Sequence, residues 1–332
     1  MDFGVSIPTC REGLVYPAPF ATSRDLVRIS EVAENLGFDT VWGNDHITTQ
    51  RYIKDKFPIA NFYEPLITLS HVAGRTTTVR LATGILPLPL REIVILAKQV
   101  STLDVLSEGR LILGVGLGAY REEAEAIGIR SQDRRGRLDE GIRAMRELFV
   151  HSPASYDGKY HRFAEIDMWP KPVQNPFPIY AGGNSTSSIQ RAAELGQGWI
   201  PAGLTPSEIM QGYEKLEDFA KKAGRDPKSI RIVPEISTTI DLSHETALQR
   251  YRRSPWADHW ESLQATTMKS QTTAISHEER GFHGTPQEIV KKIEPYTKTP
   301  VRSFMLTFTA ENVDELLDSL RRFSEDVMPS FK

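Results

Sequence analysis

Residues 178–196 read PIYAGGNSTSSIQRAAELG, a short apolar run that stops at two glycines and passes through a Ser/Thr-rich turn into a helical pattern. An apolar run of this length followed by 3.6-residue periodicity is the mark of a βα unit on a parallel sheet. The same alternation recurs on both sides of it. Upstream lie runs at 3–8, 39–43, 80–86 and 110–116; downstream lie 198–203, 230–238 and 301–309. After the first run, Thr22 or Ser23 caps a helix carrying Leu26, Ile29, Ala33 and Leu36, and Gly37 stops it. After the last, Val313, Leu316, Leu317, Leu320 and Phe323 keep the same spacing. Eight such units, with strands that are apolar almost throughout, predict an α/β fold of the (β/α)8 TIM-barrel type.

A barrel of about 250 residues accounts for most of the 332 as one domain over 1–332. The excess falls at 47–62 and 239–284, where periodicity lapses. Both segments follow strands, so in a barrel they are insertions at the C-terminal face, where lids and substrate walls are built. Hydrophobic residues at 39% and charged residues at 25% exclude a disordered chain. Forty Lys and Arg against 43 Asp and Glu give a net charge of −3. That leaves no global cationic field for nucleic acid or an anionic membrane, and points to a small organic substrate. Cys10, the single cysteine, can form no intrachain disulfide or thiolate cluster and reads as a small buried hydrophobe. With no signal-like leader and no membrane-length apolar run, the expected location is cytoplasmic.

Three motifs carry chemistry. In AGGNSTSSIQRAAELG, the glycines allow close backbone approach to an anion. The first-turn N–H groups and the hydroxyls of Ser185, Thr186 and Ser187 supply donors, which makes this a phosphate site. GVGLGA at 114–119 formally satisfies the dinucleotide fingerprint, but it follows the fourth strand, and the basic RSQDRRGR at 130–137 replaces the ribose-binding acid. These glycines either give room to a flat ligand or form a turn at the sheet edge. The arginines at 130, 134, 135 and 137 read as a solvated helix face that also steers an anionic cofactor. In WGNDH at 42–46, His46 sits at a strand's C-terminal end, with Asp45 beside it to tune its titration. No HxH, HExxH or GxSxG spacing occurs, so neither a metal site nor a hydrolase triad is expected.

The stretches VWGNDHI, YEPLITLSHVAGRTTTVRLATGIL, AKQVSTLDVLSEGRLILGVGLGAYREEAEAIGI, RRGRLDEGIRAMRELF and WPKPVQNPFPIYAGGNSTSSIQRAAELGQGWIPAG resemble the bacterial-luciferase-like flavin and deazaflavin oxidoreductases, most closely the F420-type branch. The likeness covers about residues 1–225. It implies an oligomeric barrel, a dimer or tetramer, that holds reduced FMN or F420 at its C-terminal mouth, with a separate cofactor reductase as a further partner. His46 would lie by the reactive ring, with Asp45 as its catalytic neighbour. A non-proline cis peptide within Thr83-Gly84-Ile85 would back the ring, and Gly182, Gly183, Asn184, Ser185 and Thr186 would hold the phosphate. Some F420 dehydrogenases place a glutamate directly after the fourth-strand glycines, where this chain has Gly118-Ala119-Tyr120; that departure argues against a sugar-phosphate dehydrogenase. The expected activity is oxidation or reduction of a small organic molecule, monooxygenation included. The alternative from another class is a barrel that binds the cofactor without turning over. A phosphosugar aldolase on the same barrel lacks its strand-end lysine.

Overall fold

The computed structural model describes residues 1–264 and 275–331. Part of the 239–284 insertion, 265–274, therefore lies outside the described residues. Eight strands carry the fold: β1 (Asp2–Ile7), β2 (Thr40–Gly43), β3 (Arg80–Thr83), β4 (Leu111–Gly116), β5 (Ile179–Gly182), β6 (Gly198–Ile200), β7 (Glu235–Ile240) and β8 (Ser303–Phe308). They pair in parallel in the order β6-β5-β4-β3-β2-β1-β8-β7. Leu86–Pro87, Arg231–Ile232 and Phe282–Gly284 complete an 11-stranded sheet. Arg231–Ile232 pairs with β6 at one end of that order, yet only Val233 and Pro234 separate it from β7 near the other. Glu235 N donates to Pro201 O at 2.8 Å and Gly203 N to Glu235 O at 2.9 Å. The result is one large, strongly curled parallel sheet.

The helices that follow these strands are α1 (Ser23–Asn35), α2 (Pro65–Ala73), α3 (Ile93–Leu106), α4 (Arg134–Val150), α5 (Thr186–Leu195), α6 (Pro206–Lys222), α7 (Pro286–Ile293) and α8 (Val313–Asp326). Their starts are written in the sequence. Thr22 accepts from Asp25 N while Asp25 returns a bond to the Thr22 backbone, and Thr205 and Glu208 repeat this reciprocal box. Glu64 caps α2, whose first-turn proline has no N–H to leave unpaired. Alternation along the strands divides the core in two. Leu81, Leu111 and Leu113 join the large cluster with the helices, while Trp42, Ala82, Ile112, Tyr180, Ile200 and Met305 from six strands, with Val233 just before β7, form a separate cluster of their own. Gly4 makes room for it, since a Cβ there would stand 2.4 Å from Trp42 Nε1.

Three features depart from the sequence reading. The run at 80–86 breaks at Gly84 and Ile85, although the cis peptide between them is the one the resemblance implied. The run at 230–238 breaks at Pro234, which cannot donate to a ladder. An antiparallel hairpin, Ala154–Asp157 with Arg162–Ile166, has no counterpart in the eight units. The aperiodic segments hold helices as well: Arg51–Lys56 in the first, and His244–Arg253 and Pro255–Gln264 in the second. His244–Arg253 buries only Ala247 and Tyr251, too narrow a stripe to register as periodicity. No described helix is long and apolar enough to cross a membrane.

One buried carboxyl at the opposite end of the sheet gives the fold a pH signature. Thr40 Oγ1 donates to Asp39 Oδ2 at 2.7 Å, while Oδ1 is buried without a partner. Burial, reinforced by Asp2, pushes the Asp39 carboxyl up to about 6. The unfolded chain would release that proton near pH 3.9, so the folded state binds more protons between the two values, and stability falls as pH rises from about 4 to about 6. Asp39→Asn is expected to abolish this slope and to leave the variant more stable than the parent above that window, by on the order of 2 kcal/mol. Urea unfolding at several pH values checks it; identical slopes in both proteins would refute the assignment.

Candidate active site

The C-terminal ends of the strands surround a cavity of about 740 Å³. The loops after β1 through β5 reach it, and the helix Pro255–Gln264 supplies Trp256, His259 and Leu263. Of the residues singled out in the sequence, Asp45, His46, Gly84, Ile85, Gly182, Gly183, Asn184 and Ser185 border this cavity together. Two do not. Thr83 is fully buried and donates to Gly114 O at 2.7 Å, tying β3 to β4, and Thr186 stands exposed on the first turn of α5.

His46 stands three residues beyond β2, in a ring of contacts that fixes its plane. Its Nδ1 lies 3.2 and 3.3 Å from the two carboxylate oxygens of Glu123 and 3.2 Å from Gln50 Nε2. Phe62 and Tyr120 flank the imidazole at 5.9 and 5.6 Å. Glu123 is 1% exposed, and its Oε1 also accepts from Ile47 N at 3.1 Å. With Nδ1 turned to the carboxylate, Nε2 is the ring nitrogen that Glu123 does not engage, on a residue that borders the cavity. The carboxylate that reaches His46 is thus Glu123, three residues into the segment that follows Tyr120. Asp45 pairs instead with Arg91, whose other nitrogen donates to Glu64 Oε1 at 2.8 Å. Burial raises the Asp45 carboxyl, and the Arg91 guanidinium pulls against that rise.

The β5–α5 turn, expected from the sequence to hold an anion, closes one end of the cavity. Gly183, at φ +115°, adopts a backbone that side-chain-bearing residues avoid, and a Cβ there would stand 2.8 Å from Ser188 Oγ. Ser185 caps α5: its Oγ accepts from Ser188 N at 3.2 Å and lies 3.0 and 2.9 Å from the hydroxyls of Ser187 and Ser188. The N–H groups of Thr186 and Ser187 precede the first intrahelical bond. Asn184 is spent on structure, donating to Ala202 O and accepting from Ala202 N, both at 2.8 Å. Arg134 and Arg135 complete this side. Arg134 is not part of a solvated face: it is buried, donates to Gly118 O at 3.1 Å and keeps its Nε without a partner. Of the glycines at 114–119, Gly116 and Gly118 border the cavity and Gly118 turns the chain at φ +81° just past β4, while Gly114 and Gly116 also serve packing. A Cβ on Gly114 would meet Thr83 O at 2.0 Å and one on Gly116 would meet Ile85 Cδ1 at 2.9 Å, so they clear space for the chain at Thr83–Ile85. Gly182 does the same for Ile85 Cγ2, at 2.6 Å.

On the far side, Arg11 donates from Nε to Asn44 Oδ1 and from Nη2 to Glu235 Oε1, each at 2.9 Å, with its Cζ 5.8 Å from the centre of the Trp256 ring. Tyr120 Oη and His259 Nδ1 lie 3.2 Å apart, and burial, together with the nearby His46 and Arg11, holds the His259 imidazole neutral. Cys10 is buried against Tyr63 O, and burial pushes its thiol up, which fits the inert reading.

The profile of the luciferase-like monooxygenase family matches residues 1–303. The chain belongs to this family. Among curated members of comparable length, it is similar to an F420-dependent glucose-6-phosphate dehydrogenase of Amycolatopsis mediterranei, with 28% identity over 93% of this chain and 95% of that one. It is similar in the same way to the enzyme of that description from Segniliparus rotundus, at 29% identity over 93% and 94% of the two chains. In fold it is similar to the monooxygenase RslO1 of Streptomyces bottropensis, with a TM-score of 0.81 at 23% identity over the full length of both chains. Membership of a monooxygenase family supports the enzymatic, oxidoreductase reading over the aldolase and the purely binding ones. Sequence reasoning missed Arg11, Glu235 and the pairing of Glu123 with His46, whereas the 239–284 insertion, expected to build a substrate wall, supplies Trp256, His259 and Leu263 to the cavity.

Proposed function

We propose that this luciferase-like protein is a flavin- or F420-dependent oxidoreductase acting on a small organic molecule, with FMN or F420 held at the mouth of a closed (β/α)8 barrel. The pairing of Arg231–Ile232 with β6 and its run into β7 supports closure, and the 740 Å³ cavity supports the site. The observation that carries the reading is that one cavity joins His46, the Gly84–Ile85 step and the Ser185-capped helix. The residues fit such a group: the Gly183 cradle would be filled by any Cβ, and buried Arg134 Nε lacks a partner. Gly183, Ser185 and the first turn of α5 would hold the phosphate, with Arg134 and Arg135 adding positive charge. Gly84 and Ile85 would back the ring, with His46 and Asp45 at the catalytic side.

A ring of this kind supplies hydride transfer or, as reduced flavin, reaction with oxygen. The chain does the rest. Glu123 fixes the tautomer and plane of His46, so Nε2 takes up or gives a proton at the cavity. Leu14, Ile85, Ile200, Trp256 and Leu263 keep water from the reacting atoms. We extend the reading to one domain over 1–332, to a cytoplasmic location, to a separate cofactor reductase and to a homo-oligomer, a dimer or tetramer. For the last, exposed Ile95, Leu106, Trp169 and Val173 lie on two segments joined by contacts of Lys98 with Trp169 O and of Asp104 with Val173 N.

Absorbance titration tests the cofactor reading: FMN, reduced FMN or F420 is expected to bind with one site per chain. A correctly folded protein that binds none of them would overturn it. Gly183→Val should weaken binding by about 100-fold by filling the cradle, an effect that the same titration reads.

A further inference from the structure

The wall that carries Arg11 belongs to β1 and β7, and in the sheet order β1 is separated from β5, the anion-binding strand, by three strands. Its polar groups are only partly committed. Arg11 is 5% exposed, and its Nε and Nη2 are taken by Asn44 and Glu235, while Nη1 is taken by neither. Glu235 Oε1 accepts from Arg11 and, at 3.1 Å, from Thr307 Oγ1. Oε2 is taken by neither of them. Both residues border the cavity, so a donor and an acceptor stand side by side there. Leu14, Trp256 and Leu263 surround them with apolar surface.

The pair carries one positive and one negative charge. An incoming anion gains Arg11 but meets the Glu235 carboxylate, and an incoming cation meets the reverse; a neutral group that both donates and accepts satisfies the two at once. A carbonyl oxygen can only accept, which leaves Oε2 desolvated and unpaired. We propose that Arg11 and Glu235 dock the hydroxyl of an uncharged, largely apolar alcohol, which donates to Glu235 Oε2 and accepts from Arg11 Nη1. The pair recognises the substrate, and no bond is made or broken there. This deepens the oxidoreductase reading and rests on it.

Calorimetric titration of the FMN- or F420-loaded protein with cyclohexanol, cyclohexanone, cyclohexanecarboxylate and glucose 6-phosphate tests the assignment. Cyclohexanol is expected to bind about tenfold more tightly than the ketone and more tightly than either anion. In Glu235→Gln, which replaces Oε2 with a donor and leaves Arg11 uncompensated, the alcohol should lose its advantage and the carboxylate should gain about tenfold. A merely structural ion pair would lower stability without reordering the ligands. Equal binding of alcohol and ketone, preference for an anion in the parent protein, or no binding of cyclohexanol would overturn the proposal. So would a Glu235→Gln variant that keeps the parent ranking or loses cofactor affinity instead. Failure of the protein to take up either cofactor would count against the oxidoreductase reading itself, whereas cofactor uptake with no alcohol preference would remove the docking point alone.

Discussion

Replacing His46 with alanine is expected to lower turnover by about 10² to 10⁴-fold, the range over which a positioned acid or base contributes, while cofactor affinity changes by no more than a few fold. The split follows from where the groups stand. The proposed anion end of the cavity, Gly183, Ser185 and Arg134, is distinct from the groups around the imidazole, which are Glu123, Gln50, Phe62 and Tyr120. On that proposal, removing the ring takes away the proton-handling atom and leaves the phosphate-holding turn in place. Glu123→Gln keeps the shape of its side chain but loses its charge, so it should act through His46: a smaller loss, about 10-fold to 100-fold in kcat, with KM nearly unchanged. Steady-state kinetics beside an absorbance titration separates the cases. Unchanged turnover in His46→Ala would strike the residue from the catalytic set, and a loss confined to cofactor binding would make it an anchor.

The parts of this molecule that sequence made legible are those whose physics is local. The runs at 3–8, 39–43, 110–116, 178–183 and 301–309 and the helix starts at Thr22, Glu64 and Ser185 depend on neighbours a few residues away, and the structure places them within two residues of the reading. The Ser185 turn was legible as a helix start for the same reason, because its cap and its glycines are written in consecutive residues. The carboxylate behind His46 was not, because Glu123 reaches it across 77 positions of sequence and only the curl of the sheet brings them together. Arg11 and Glu235 are separated by 224 positions. Adjacency in sequence misled in one instance: Asp45 neighbours His46 along the chain, yet consecutive side chains diverge, and the Asp45 carboxylate turns to Arg91. The glycines of β4 were legible only in part. A glycine records that something approaches closely, and here Gly116 borders the cavity while Gly114 and Gly116 also admit Thr83 O and Ile85.

That Asp45 pair sets the second large effect. Asp45 is almost fully buried, its side chain 2% exposed, and among the described residues it pairs with Arg91, itself 15% exposed and shared with Glu64. Burial alone raises the Asp45 carboxyl, and the guanidinium is what restrains that rise. Arg91→Met fills similar volume without charge, so it strands a carboxylate in a dry site and is expected to cost about 3–5 kcal/mol at neutral pH. The pH dependence has a definite sign. Without its partner the folded-state value of Asp45 climbs further above the unfolded value near 3.9, so the folded state takes up a proton and the variant loses stability as pH rises from there. Below that window Asp45 is protonated in both states and most of the penalty vanishes. Asp45→Asn combined with Arg91→Met should recover most of the loss at pH 8, because no buried charge is left to compensate. Urea unfolding of the single and double variants at pH 4 and pH 8 reads the coupling directly. An Arg91→Met protein within about 1 kcal/mol of the parent at pH 8 would mean that water or a rearranged loop already solvates Asp45. The backbone that carries Asp45 also carries His46, so the same variant should lose turnover even where it remains folded.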